Sequence, residues 1–194
     1  MARIHVVHGI HNAFGETFLG PLLDVLKGAG HTVFFPDYGW IFGLETRIAN
    51  PLIVRSLMPY VMAGDLIVGH SNGCAIAYDL INQRMPLAGA VFINAALEQA
   101  ISRPANIKWI DVYFNAGDQI TEAAKIAEQL GIVDPVWGEM GHAGYSGKDP
   151  AITNINCGTA AGLPVVAGHS DIFTPAKFTS WGPYIVKRIA GHLA

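Results

Sequence analysis

Cysteine is nearly absent from this chain. Cys74 and Cys157 are the only two in 194 residues, and no Cys-x-x-Cys pair exists. A disulfide framework is therefore excluded, and a reducing compartment is the simpler setting. Charge is also scarce, at 14% of residues with a net charge of -3. No basic surface of the kind that binds a polyanion is expected, so nucleic acid is not a partner. The composition of a disordered chain is missing too, because 51% of residues are hydrophobic. No apolar run approaches the roughly 18 residues of a membrane-spanning helix. The opening stretch Met1–Asn12 does not read as a signal peptide: its apolar part is short, histidines interrupt it and no small-residue cleavage site follows. These absences together predict a cytoplasmic protein.

What remains is ample material for a core. The length suits a single domain spanning 1–194, without repeats, low-complexity tracts or linkers. The mean hydropathy of +0.33 is high for a soluble domain, consistent with a buried oligomer interface or an apolar substrate groove. Short, near-continuous apolar runs occur at Ile4–Val7, Thr32–Phe35, Leu66–Val68, Ala90–Asn94, Trp109–Phe114 and Pro164–Val166. Such runs fit strands buried on both faces of a parallel sheet. Helical patterns separate them at Phe14–Lys27, Ile48–Met62, Gly73–Arg84, Thr121–Leu130 and Trp181–Leu193. The alternation predicts an α/β fold, a three-layer α/β/α sandwich around a mostly parallel sheet of about six strands. The stretch Asp134–Gly162 is rich in Gly, Asn, Thr and Pro and reads as a long loop, a candidate lid.

In a sheet of this kind the active site lies at the carboxyl ends of the strands. There the segment from Leu66 to Gly73 runs from strand into helix and contains Gly-x-Ser-x-Gly at Gly69, Ser71 and Gly73. A sharp strand-to-helix turn presents a serine hydroxyl outward, and the flanking residues must be small because strand and helix nearly touch. Six serines and 22 glycines would generate about 0.08 such motifs by chance, so its position after a strand and before an apolar helix carries the weight. Acyl transfer at a serine needs two backbone N–H donors for the oxyanion. Asn72, directly after Ser71, supplies one. Ile10, in the loop after the first strand, is the best candidate for the other. His5, His8 and His11 hint at a metal, but residues three apart on a strand face opposite ways, and His8 reads better as a structural hydrogen-bonder.

The segments His8-Gly9-Ile10, Gly69-His70-Ser71-Asn72-Gly73, Asn115-Ala116-Gly117-Asp118 and Gly168-His169-Ser170 resemble the landmarks of the α/β-hydrolase superfamily, in that family's order of nucleophile, acid and histidine. The resemblance spans almost the whole chain. It implies a minimal α/β-hydrolase fold and serine hydrolase chemistry, with Ser71 as nucleophile, Asp118 as orienting acid and His169 as general base. Asp118 could instead simply cap the helix that follows. His142 is an alternative base; His169 is preferred because a strand precedes it and the terminal helix follows. His70 packs rather than catalyses, and His192, within the last helix, reads as a surface residue.

The resemblance implies no cofactor and no metal. The partner it implies is a small-molecule acyl substrate, whose pocket could be built by Tyr38, Trp40, Ile41, Phe42 and Leu44, with Trp137 and Tyr145 closing it. Cys74 reads as a core thiol. The leading function is cleavage of a carboxylic ester through an acyl-enzyme on Ser71. The alternatives are a thioester or amide hydrolase with the same triad, or a non-catalytic binding protein of the same fold.

Overall fold

The structure, a computed structural model, describes residues 1–9, 15–38, 45–83, 86–133 and 135–194. Six strands form one parallel sheet: β1 (Arg3–Val7), β2 (Thr32–Phe34), β3 (Leu66–His70), β4 (Gly89–Ile93), β5 (Ile110–Phe114) and β6 (Ile152–Asn156). Their spatial order is β2-β1-β3-β4-β5-β6, and every neighbouring pair is parallel. The helices are α1 (Gly15–Gly28), α2 (Thr46–Leu57), α3 (Asn72–Asn82), α4 (Gln119–Gln129), α5 (Met140–Ala143) and α6 (Pro175–Leu193). No described helix is long and apolar enough to cross a membrane.

The period of two along each strand divides the core. Val7, Ile67, Phe92 and Val112 point to one face, where they meet Ile53 and Leu57 of α2 and Ile76 and Leu80 of α3. Ile4, Val6, Leu66, Val68 and Val91 point to the other, against Leu19, Leu22 and Leu26 of α1 and Trp181, Ile185 and Ile189 of α6. The strands are apolar at nearly every position because both faces are covered. Within this double-sided core, Asp111 of β5 is fully buried, and a forked pair of hydrogen bonds from Arg188 of α6 at 3.0 and 2.7 Å satisfies its carboxylate. His192, which the sequence places on the surface, lies 3.3 Å from the same carboxylate and stacks on Trp109, so it is tied to the body of the fold.

The sheet departs from the sequence expectation at its far edge. Pro164–Val166 is not a strand; the sixth strand is Ile152–Asn156, inside the stretch expected to be a loop. As the edge strand it is only partly covered: its sequence, ITNIN, buries Ile152 toward one helix layer and Ile155 toward the other, while Thr153, Asn154 and Asn156 keep some exposure, so no apolar run forms. Pro164 has no N–H to give a ladder, and Val165 is exposed; only Val166 pairs, donating to the Cys157 carbonyl at 2.9 Å. The expected long lid from 134 to 162 therefore contains α5 and β6, and the irregular segment that matters runs from Cys157 to the start of α6. Helix α6 begins at Pro175 rather than Trp181, because proline is accommodated in a first turn.

Candidate active site

Strand order reverses at β1, from which the chain passes first to β2 and then back to β3. The crevice between the carboxyl ends of β1 and β3 is the place where such sheets bind ligands. Ser71 stands there, between β3 and α3, with φ 57 and ψ -129. That backbone region is costly for a residue with a Cβ, and it persists because the surroundings over-determine it. The Ser71 N–H donates to Ile93 O at 3.1 Å, and its carbonyl accepts from Cys74 N at 3.0 Å and Ala96 N at 3.2 Å. The flanking glycines are required by contact. A Cβ on Gly73 would lie 2.2 Å from the Val7 carbonyl oxygen, and one on Gly69 would lie 2.9 Å from Cys74 Cα.

The loop after β1 presses against the serine from the other side, so closely that a Cβ on Gly9 would sit 2.8 Å from Ser71 Cβ. Ile10 and His11 lie outside the described residues. Asn72 is the first residue of α3, so its backbone N–H has no acceptor within the helix and faces the site end of the helix dipole. Its side chain is fully buried and pairs reciprocally with Asn50 of α2, at 2.9 and 3.0 Å, while Trp137 Nε1 donates to Asn72 Oδ1 at 2.7 Å. Trp137 is thus a core residue that braces the start of α3 beside Ser71, where the sequence suggested a pocket wall. Trp40, Ile41, Phe42 and Leu44 lie outside the described residues.

Asp118 follows β5 and is fully buried. Both of its oxygens lie 2.9 Å from Nδ1 of His169, and Oδ1 also accepts the Thr121 N–H at 3.1 Å. The capping role and the histidine-holding role are therefore combined in one carboxylate. The His169 side chain is 10% exposed, against 0% for that of Asp118. His142 lies on α5, its Nδ1 buried without a hydrogen-bond partner. Of the two candidate bases, His169 is the one the structure pairs with Asp118. Among the described residues, Ser71 Oγ makes no hydrogen bond to either imidazole.

His5, His8 and His70 have other partners. His5 Nε2 donates to Asp65 at 2.7 Å. His8 Nδ1 donates to Gly9 O at 2.8 Å, and the ring stacks on Tyr38 at 3.8 Å; burial lowers its pKa. His70, at the end of β3, packs its ring 4.9 Å from that of His169 and edge-on to Phe173, with Nε2 donating to His169 O at 3.2 Å. Burial, aided by the neighbouring His169, lowers the His70 pKa to about 3. The thiols are quiet: burial pushes Cys74 far up and Cys157 up to about 12. Among the described residues no three His, Cys, Asp or Glu side chains form a metal-binding group. Sequence reasoning missed Asn50, Asn94 and Asn115. A signal existed for the last two, since β4 and β5 run out in the parallel sequences Ile93-Asn94-Ala95 and Phe114-Asn115-Ala116.

No family model and no curated protein matches this chain. Solved structures do. A monoacylglycerol lipase from Paleococcus ferrophilus superposes with a TM-score of 0.65 at 15% identity, over 98% of this chain and 94% of that one. A Xanthomonas campestris pv. campestris chain assigned to the α/β superfamily of hydrolases gives 0.59 at 12% identity, over 98% and 99%. An esterase domain from Rhodothermus marinus gives 0.57 at 15% identity, over 96% and 84%. The six-stranded parallel sheet between two helix layers, with a serine at a strained strand-to-helix turn, is the α/β-hydrolase fold.

Proposed function

We propose that this chain is a serine hydrolase that cleaves a carboxylic ester through an acyl-enzyme on Ser71. The observation that carries the reading is the Asp118–His169 pair, one fully buried carboxylate on one imidazole, standing at the same carboxyl-end rim of the sheet as a serine held at φ 57. In this scheme Ser71 Oγ attacks the acyl carbonyl as its proton passes to His169 Nε2. The carbonyl oxygen takes the negative charge and is met by the Asn72 backbone N–H and, from the loop after β1, that of Ile10. The C–O bond to the leaving group then breaks, and His169 returns the proton to the departing alcohol. Water repeats the sequence on the acyl-enzyme and frees the acid. Asp118 keeps the His169 tautomer with its proton on Nδ1 and stabilises the imidazolium. The serine–imidazole bond closes as substrate enters, as catalytic hydrogen bonds left long in a free enzyme commonly do.

Esters are the first substrates to test because two structural neighbours are named for ester cleavage, a lipase and an esterase. Thioesters and amides would pass through the same triad, and the leaving-group pocket would separate them. The test is covalent labelling with a fluorophosphonate probe. Wild-type protein should take one label, lost in Ser71→Ala. Absence of label in both would favour a non-catalytic binding protein of the same fold.

A further inference from the structure

The irregular segment between β6 and α6 carries His169 without an adjoining strand to hold it. What holds it instead is a set of side-chain donors from three neighbouring strand ends. Asn94, just after β4, donates through Nδ2 to the Gly168 carbonyl at 3.2 Å and to the His169 carbonyl. Asn115, just after β5, donates through Nδ2 to Gly168 O at 3.3 Å. His70, the last residue of β3, donates to His169 O at 3.2 Å. Asn115 links the two halves of the pair, because its Oδ1 also accepts the Gly117 N–H at 3.1 Å beside Asp118. Asn94 and Asn115 are both fully buried.

Asn94 is the member whose backbone is unusual. At φ 47 it is, with Ser71, one of the two described non-glycine residues at positive φ. Asparagine tolerates that region better than most residues, and glycine tolerates it best. A glycine here would satisfy the backbone more cheaply, so the asparagine is accounted for by what its amide holds.

We propose that Asn94 is a positioning residue for the general base: its amide pins the carbonyls of Gly168 and His169, and so sets the plane in which the imidazole meets Asp118, with Asn115 and His70 completing the clamp. This rests on the serine hydrolase reading for its kinetic consequence, but the geometric claim about His169 can be measured apart from activity. His70 suits its place because, neutral at working pH, it adds a donor without a second positive charge to compete for Asp118.

The experiment compares full-length wild type, Asn94→Gly and Asn115→Asp. The glycine suits φ 47 and deletes only the amide. The aspartate keeps the acceptor for Gly117 and turns the donor into an acceptor facing the Gly168 carbonyl. Three quantities are read: kcat and KM on a p-nitrophenyl ester, the proton NMR signal of His169 Nδ1–H, assigned by its loss in His169→Ala, and the melting temperature. Both variants should lower kcat about 10- to 100-fold, the scale of a misplacement near 1 Å, with KM within about threefold. The Nδ1–H signal should shift or broaden. A purely structural role would lower the melting temperature and leave the kcat/KM split and the proton signal of the folded protein in place. An unchanged signal in Asn94→Gly, or in Asn115→Asp should the glycine variant not fold, overturns the proposal. If wild type neither turns over ester nor takes a phosphonate label, the hydrolase reading fails, and the proton signal alone still decides whether Asn94 sets His169.

Discussion

Asp118 Oδ1 lies 2.9 Å from Nδ1 of His169 and 3.1 Å from the backbone nitrogen of Thr121, so one oxygen orients an imidazole and caps α4 together. The two duties are chemically separable. Asparagine caps a helix about as well as aspartate but carries no charge to stabilise an imidazolium. Asp118→Asn should therefore keep its stability and lose about 10⁴-fold in kcat, by analogy with known triads. Asp118→Ala should lose the cap as well, at about 1 kcal/mol in urea unfolding. An asparagine variant with undiminished turnover would remove the carboxylate from the mechanism.

The backbone of Ser71 stores strain that the proposed chemistry uses and stability does not. At φ 57 and ψ -129 a glycine relaxes where serine and alanine cannot. Ser71→Gly should abolish phosphonate labelling while gaining about 1 kcal/mol of stability, and Ser71→Ala should abolish labelling without that gain. Chemical denaturation of the three proteins side by side gives the comparison.

Gly73 is predicted to be intolerant of any side chain. Its Cβ would meet Val7 O at 2.2 Å and His8 O at 2.5 Å, both backbone atoms of the segment that approaches the serine. Gly73→Ala should cost about 3 kcal/mol and displace that segment from the site. A soluble variant with wild-type denaturation midpoint and turnover would contradict this packing.

The Asn50–Asn72 amide pair with Trp137 is a buried network in which each group depends on the others. Asn50→Leu leaves the Asn72 amide short of partners and should cost about 1–3 kcal/mol. Trp137→Phe should cost about 1 kcal/mol for its lost bond to Asn72. Because the two sites share Asn72, the double variant should depart from additivity by at least about 0.5 kcal/mol. Strict additivity would show that the network does not act as a unit.

Acid should destabilise the fold through His70. In the folded chain it stays neutral down to about pH 3, whereas in the unfolded chain it protonates near its ordinary 6.5. Between those values the unfolded state binds more protons, so the stability present above about pH 6.5 is lost progressively as pH falls toward about 3. Each pH unit between the two values is worth about 1.4 kcal/mol, so the full effect is several kcal/mol. His8, also lowered by burial, acts with the same sign. Melting temperatures followed from about pH 7 to about pH 4 should fall steeply in wild type and less steeply in His70→Asn. Parallel slopes would assign the acid sensitivity elsewhere.

Much of the fold is legible because its determinants are local. The apolar runs of β1, β3, β4 and β5 are buried on both faces, and the strand–Ser71–helix junction lies within Leu66–Asn82. The edge strand β6 escapes that reading because its Ile-Thr-Asn-Ile-Asn sequence buries only Ile152 and Ile155, one toward each helix layer, and the polar residues between them break the apolar run. With β6 missed, the approach to His169 reads as a strand at Pro164–Val166, although His169 itself pairs with Asp118 as its place in the chain suggests.

Ser71 with its two glycines, the aspartate in the turn after β5 and two eligible histidines can all be named from residue type and order, since each depends on a few consecutive residues. Which histidine meets Asp118, and what keeps it there, is decided only when the sheet forms. Asp118 and His169 stand 51 positions apart, and the donors from Asn115, Asn94 and His70 reach across 53, 75 and 99 positions to the carbonyls beside that imidazole. Hydrogen bonds over such separations leave no periodicity in the chain; they exist because parallel strands deliver their carboxyl ends to one rim.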